Sequence, residues 1–111
     1  MAISLKPLHE QVLFITGATS GIGLATLHRA VEQGAKVFMT ARNEDELQRL
    51  QDEMRHKGYD TAYSVVDVAE IDQLQFAVDQ CINTFGRIDT FINNAGITIY
   101  SKLMDTSTEE A

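Results

Sequence analysis

Thr16-Gly17-Ala18-Thr19-Ser20-Gly21-Ile22-Gly23 is the segment best suited to chemistry. The apolar run Val12-Leu13-Phe14-Ile15 leads into it, and a helix-like pattern from Leu24 to Val31 follows. A glycine turn between a strand and a helix aims backbone N–H groups and the positive end of a helix dipole at one point. The chemistry on offer is anion binding, most often of a dinucleotide pyrophosphate. Each glycine has a distinct use. Gly17 can take a positive φ in the turn. Gly21 lets a phosphate approach the backbone. Gly23 lets helix and strand pack closely. The hydroxyl of Ser20 can donate to a phosphate or ribose oxygen. The spacing is GxxxGxG, not GxGxxG. It is not a Walker loop either, since Leu24 follows Gly23 where that loop needs Lys.

The elements that must position this turn recur at intervals of about 25 residues, the size of one strand–helix unit. Strand candidates are Val12–Thr16, Lys36–Thr40, Thr61–Val66 and Ile88–Asn93. Three helical patterns separate them. The first runs from the glycine turn to Gly34. The second opens at Asn43, an N-cap with Glu46 three residues on, carries the stripe Leu47, Leu50, Met54, and ends at Gly58. The third places Ile71, Leu74, Ala77, Val78, Cys81, Ile82 and Phe85 on one face and ends at Gly86. Glycine just past a helix is the usual left-handed cap. Strands alternating with helices imply parallel pairing, right-handed crossovers and a sheet covered on both faces.

Two further motifs stand at strand ends. Asp67-Val68 follows the third strand, and Asn93-Asn94-Ala95-Gly96 follows the fourth. With TGxxxGxG they form an ordered set by which the chain, from about Gln11 to Ala111, resembles the short-chain dehydrogenases/reductases. That resemblance implies an α/β fold: a Rossmann-type doubly wound parallel sheet, incomplete here, with about four strands in the order 3-2-1-4 and three helices. It makes residues 1–111 the N-terminal part of a single NAD(P)-binding domain, with 1–10 as a lead-in. It implies cofactor contacts from Gly17, Thr19, Ser20, Gly21, Ile22 and Gly23 to pyrophosphate and ribose. Asp67 is expected to accept from the adenine amino group with Val68 against the ring; capping the next helix is the plainer alternative. Asn94, Ala95 and Gly96 are expected at the adenosine ribose, or as a simple strand-end turn.

The end of the second strand bears on which dinucleotide. NAD sites place an acid about 20 residues after the glycine turn to hold the ribose 2′-OH. Here the stretch reads Met39-Thr40-Ala41-Arg42-Asn43. Ala41 stands where NAD users of the family carry Asp, and Arg42 can clamp a 2′-phosphate. NADP(H) is therefore expected over NAD(H), unless Arg42 is a solvated residue ahead of a helix cap.

Hydride transfer in the family uses a Ser, an Asn and a Tyr-x-x-x-Lys pair. This sequence has no Tyr-x-x-x-Lys, and Tyr100-Ser101-Lys102 has the wrong spacing to put both side chains on one helix face. No catalytic residue is therefore assigned. Residues 105–111 carry two overlapping capping boxes, Thr106 with Glu109 and Ser107 with Glu110, and read as the start of a truncated helix. The resemblance thus implies an NADP(H)-dependent oxidoreductase acting on a carbonyl or alcohol, present as an inactive N-terminal fragment. A non-catalytic dinucleotide-binding module and a gene remnant are the alternatives. The fourth strand would be left as an open edge.

Composition limits the other classes. A net charge of −7 leaves no basic stripe for nucleic acid. No apolar run nears the roughly 20 residues that span a bilayer. The single cysteine, Cys81, excludes an internal disulfide and fits a reducing, cytoplasmic setting; its place on an apolar stripe makes it a core residue. His9, His28 and His56 lack metal-ligand spacing, so no metal is expected, and His28 and His56 should face solvent. Partners are then the dinucleotide, and a small substrate only if the remainder of the domain is supplied. Family members are commonly homo-oligomers.

Overall fold

The computed structural model describes residues 6–67 and 69–94. After a single 3-10 turn, Leu8–Glu10, the chain forms β1 (Val12–Thr16), α1 (Gly21–Glu32), β2 (Lys36–Ala41) and α2 (Glu44–His56). It continues through β3 (Thr61–Val65), α3 (Ile71–Phe85) and β4 (Thr90–Asn93). The sheet is parallel throughout, in the order β3-β2-β1-β4. This is the order expected, and the Rossmann-type reading of the sequence holds. Val68, Ala95, Gly96 and the capping boxes of 105–111 lie outside the described residues.

Burial explains why the two central strands read as unbroken apolar runs. All five residues of β1 are buried, as are the last five of β2. Side chains alternate across the sheet. Leu13, Ile15, Val37 and Met39 pack under α1 and α2 with Leu27, Val31, Leu47 and Met54. Val12, Phe14 and Phe38 pack under α3 with Leu74, Ala77 and Cys81. Phe14 stacks on Phe38 at 5.5 Å and on Phe91 at 4.9 Å, which ties three strands together on that face. Burial also pushes the Cys81 thiol up to about 11, so it is an inert core group.

The helix signals act as their residue types suggest. The Asn43 side chain accepts the Glu46 N–H at 3.0 Å and starts α2. Each helix runs out at a glycine with positive φ, at Gly34, Gly58 and Gly86. Two expectations need correction. Ile82 is 44% exposed. The buried stripe of α3 follows Leu74, Ala77 and Cys81, and the next residue is turned about 100° away from it. His28 is half-buried rather than solvent-facing, because it sits over the gap between α1 and α2 beside Leu24 and Leu50.

The strand ends also differ. β2 extends to Ala41 and β3 stops at Val65. β4 begins at Thr90, two residues later than its apolar pattern, because Asp89 is otherwise engaged. Its carboxylate accepts the Val12 N–H at 2.8 Å, while its own N–H donates to the Val12 carbonyl at 2.9 Å. Lys6 Nζ at 3.0 Å and Arg87 Nε at 2.8 Å complete the cluster. The Arg87 guanidinium also donates to the Glu10 carbonyl. The lead-in is thus fastened to the last strand at the N-terminal end of the sheet. Its sequence, with scattered charges and one proline, carries no periodic signal of this.

The Val12 N–H, then the Lys6 ammonium and Arg87, hold the Asp89 carboxyl down to about 2. In the unfolded chain it titrates near about 4. A lowered folded value means the group stabilises the fold fully above that unfolded value, and the contribution is lost as pH falls through about 2. We expect Asp89→Asn to lower the melting temperature by a constant amount from about pH 5 to 8 and by progressively less toward about pH 2. Melting curves of parent and variant by circular dichroism test this; a gap undiminished at the acid end excludes the charge as its source.

Candidate functional site

A cleft of about 820 Å³ opens at the C-terminal ends of β1, β2 and β4. Strand order reverses there, between β1 and β4, and that is where open α/β sheets leave room for a ligand. Gly17, Thr19 and Ser20 from the glycine turn form one wall. Thr40, Ala41, Arg42 and Asn43 at the end of β2 form another, with Glu46 from the first turns of α2. Val66, Leu74 and Asn94 complete it.

The turn is fixed by contacts that its residue types alone permit. Gly17 has φ +61°, and its carbonyl accepts the Asn94 amide at 3.2 Å. A β-carbon at Gly23 would stand 2.1 Å from the Gly17 oxygen and 2.7 Å from Asn94 Nδ2. Residue 23 therefore has room only for hydrogen. The close approach is between α1, the turn and the end of β4, not simply between helix and strand. Thr16 joins the same knot. Its Oγ1 accepts the Asn94 N–H at 2.9 Å and donates to Asn93 Oδ1 at 3.2 Å. Ala18 N–H reaches the Thr40 carbonyl at 3.0 Å and links the turn to β2.

Gly21 behaves differently. It has φ +55°, and an added β-carbon would meet nothing within 4 Å. The backbone there lies open. Ser20, the N-cap of α1, makes no side-chain cap bond. The first-turn N–H groups of α1, which a helix cannot satisfy internally, thus begin at the cleft wall without a side-chain acceptor from Ser20. An anion is the natural partner for such a helix end.

Of the residues singled out from the sequence, Gly17, Thr19, Ser20, Arg42 and Asn94 come together on the cleft. Gly21, Ile22 and Gly23 form the adjoining first turn of α1 without lining it, and Ile22 is 75% exposed. Asp67 is exposed and is not on the lining either. Its Oδ1 accepts the Ala69 N–H at 3.0 Å, and its own N–H donates to Gln73 Oε1 at 2.8 Å. That carboxylate shapes the turn into α3. Thr40, Val66, Leu74 and Glu46 are lining residues that the sequence did not mark. Leu74 reads as core stripe because it is both core and cleft floor. Glu46 reads as an acid that suits the α2 dipole. Arg42 is exposed, and among the described residues no carboxylate pairs with it.

A family model described as short chain dehydrogenase matches residues 11–111. The chain belongs to the short-chain dehydrogenase family. Among curated proteins it is 44% identical over 108 residues to the uncharacterized oxidoreductase YxnA of Bacillus subtilis, covering 97% of this chain and 30% of that protein. It is 41% identical over 87 residues to a putative ketoacyl reductase of granaticin polyketide synthesis from Streptomyces violaceoruber, covering 78% of this chain and 32% of that one. The chain therefore spans about a third of the length of these relatives. Among solved structures, an NADPH-bound short-chain oxidoreductase from Pseudomonas aeruginosa superposes with a TM-score of 0.77 at 36% identity, over 81% of this chain and 36% of that one. A family member from Burkholderia phymatum in complex with NAD gives 0.74 at 28% identity, over 78% and 31%. Among the described residues no helix is long and apolar enough to cross a membrane, and no three His, Cys, Asp or Glu side chains group to hold a metal.

The two helical-turn glycines separate packing from access. Gly23→Ala is expected to cost at least about 3 kcal/mol, since backbone must move to admit the methyl. Gly21→Ala is expected to cost about 1–2 kcal/mol, from its left-handed φ alone. Denaturant titration of both variants measures this. Equal costs would mean that the knot at Gly17 and Asn94 is loose.

Proposed function

We propose that residues 1–111 are the N-terminal, cofactor-binding part of a single NAD(P)-binding domain in an NADP(H)-dependent oxidoreductase. When bound, the dinucleotide would supply a hydride to a carbonyl carbon of the substrate or accept one from an alcohol carbon. The residues present do the holding. The N–H groups from Ser20 to Gly23 and the Ser20 hydroxyl take the pyrophosphate. Open backbone at Gly21, where a β-carbon would meet nothing, leaves space for it. Asn94 keeps the turn in shape, and Ala95 and Gly96, which follow it in the sequence, are assigned to the adenosine ribose. Val66 and Leu74, both buried, back the cleft from beneath. Asp67, already holding the Ala69 N–H, stands next to Val66 in the chain for the adenine amino group, with Val68 beside it.

Arg42 carries the preference for NADP(H). It lies on the cleft wall at the end of β2, follows Ala41 in place of an acid, and has no ion-pair partner among the described residues. A guanidinium there accepts a 2′-phosphate in two parallel hydrogen bonds. Solved relatives include both NADPH-bound and NAD-bound proteins, so the choice rests on this chain's own residues. Glu46 on the same wall is the opposing charge. Proton transfer to the substrate needs the Tyr-x-x-x-Lys pair, which these 111 residues do not contain. They bind cofactor and turn over nothing by themselves.

Loss of a charge-assisted bond to a phosphate costs about 1.5–3 kcal/mol. Arg42→Ala is therefore expected to weaken NADPH binding at least about tenfold and to leave NADH within about twofold. Glu46→Gln is expected to tighten NADPH about two- to fivefold by removing a like charge. Calorimetric titration of each variant with both dinucleotides reads these ratios. An unchanged NADPH/NADH ratio in Arg42→Ala would overturn the NADP(H) assignment and leave dinucleotide binding itself standing.

A further inference from the structure

On the far side of the sheet from β4, a groove of about 570 Å³ runs between β3 and α3. β3 pairs with β2 alone among the described residues. The ladder fixes which of its groups face outward. Val37 N–H bonds the Asp60 carbonyl at 3.2 Å, and Val66 N–H bonds the Ala41 carbonyl at 2.8 Å. Even-numbered residues of this stretch therefore face β2, and Tyr63 and Val65 turn their N–H and C=O groups to the open edge. The beginning of that edge is closed, because Gln51 Nε2 donates to the Thr61 carbonyl at 2.8 Å. A short open segment remains beside the groove.

The groove walls have a definite chemistry. Val65 is 40% and Phe76 57% exposed, both on the groove. Glu44 and Asp72 line the groove, and no Lys, Arg or His does. Gln80 also lines it. An open strand edge, an aromatic surface and two carboxylates all ask for the same kind of ligand.

We propose that this groove takes an extended peptide segment of a partner protein that carries lysine or arginine. The peptide main chain pairs with Tyr63 and Val65 as an added strand. Its cationic side chain lies over Phe76 between Glu44 and Asp72. Charge decides against a second copy of this chain as the occupant. Two grooves face to face would bring Glu44 and Asp72 against their own counterparts on a chain of net charge −7.

A fluorescein-labelled Thr-Val-Arg-Val-Lys-Thr peptide, titrated into the full protein by anisotropy, tests this. The expected result is saturable binding with Kd below about 1 mM, weakened at least about threefold between 50 and 300 mM salt. Asp72→Lys is expected to weaken it at least about tenfold, and Phe76→Ala at least about threefold, in variants whose melting temperature matches the parent. If the lysine perturbs the start of α3, Asp72→Asn with an expected loss of about threefold replaces it. A glutamate-for-arginine-and-lysine peptide is expected not to bind. Failure to saturate overturns the proposal. So does undiminished affinity in the Asp72 variants, equal competition by arginine methyl ester alone, or self-association of the protein through this face in sedimentation.

Discussion

The absence of a β-carbon at residue 23 is the constraint on which the rest of the site hangs. With hydrogen there, the Gly17 carbonyl can stand against the first turn of α1 while accepting the Asn94 amide. Those contacts set where α1 begins relative to β1 and β4. They thereby set where its unsatisfied N–H groups sit. A methyl group would force these elements apart, because the atoms it would strike hardest, those of the Gly17 carbonyl group, are backbone. The Thr16 hydroxyl serves the same arrangement from below, accepting from Asn94 N–H and donating to Asn93. The cleft is in this sense a consequence of packing. Its turn-side wall exists because turn and helix meet with only the Asn94 amide against them.

The sheet supplies the rigidity that such a turn needs. β1 and β2 are buried on both faces, and Phe14 is held between Phe38 and Phe91. Close-packed interiors transmit displacement rather than absorb it. The two ends of the sheet are fastened by different chemistry. At the N-terminal end, Asp89 gathers Lys6, Arg87 and the Val12 N–H into one charged cluster. At the C-terminal end, neutral amide and hydroxyl groups do the fastening. That difference leaves the cleft's hydrogen-bonding walls without fixed charge except at Arg42 and Glu46.

Most of the fold was legible because its signals are local. The Asn43 cap, the glycine stops and the buried runs of β1 and β2 each follow from a few adjacent residues. Strand order and the ordered motifs came with the family resemblance. What stayed hidden depends on contacts between distant positions. Asp89 to Val12, Gln51 to Thr61 and Asn94 to Gly17 join residues that no periodic pattern links. The site shows the same division. Gly17, Thr19, Ser20, Arg42 and Asn94 announce themselves by type and place. Glu46 and Leu74 do not, since a helix acid and a helix leucine each have an ordinary structural reason to be where they are. Ile82 misled because it follows Cys81 directly, and one residue is enough to turn a side chain off a buried stripe.

A net charge of −7 looks like an obstacle to an anionic ligand, but what a ligand feels most is the local set of charges, since at physiological salt the Debye length is about 8 Å. Asp52 and Asp60 are not on the cleft lining. Within the cleft the balance involves few groups. The N-terminal dipole of α1 and the Arg42 guanidinium attract; Glu46 repels. The α2 N-terminus adds to the attraction, although Asn43 already satisfies one of its N–H groups. On the proposed reading, a charge-assisted, paired hydrogen bond from Arg42 to a 2′-phosphate outweighs one carboxylate that can remain hydrated, and the proposed selection between dinucleotides is a contest between two residues four positions apart, set on either side of a helix cap.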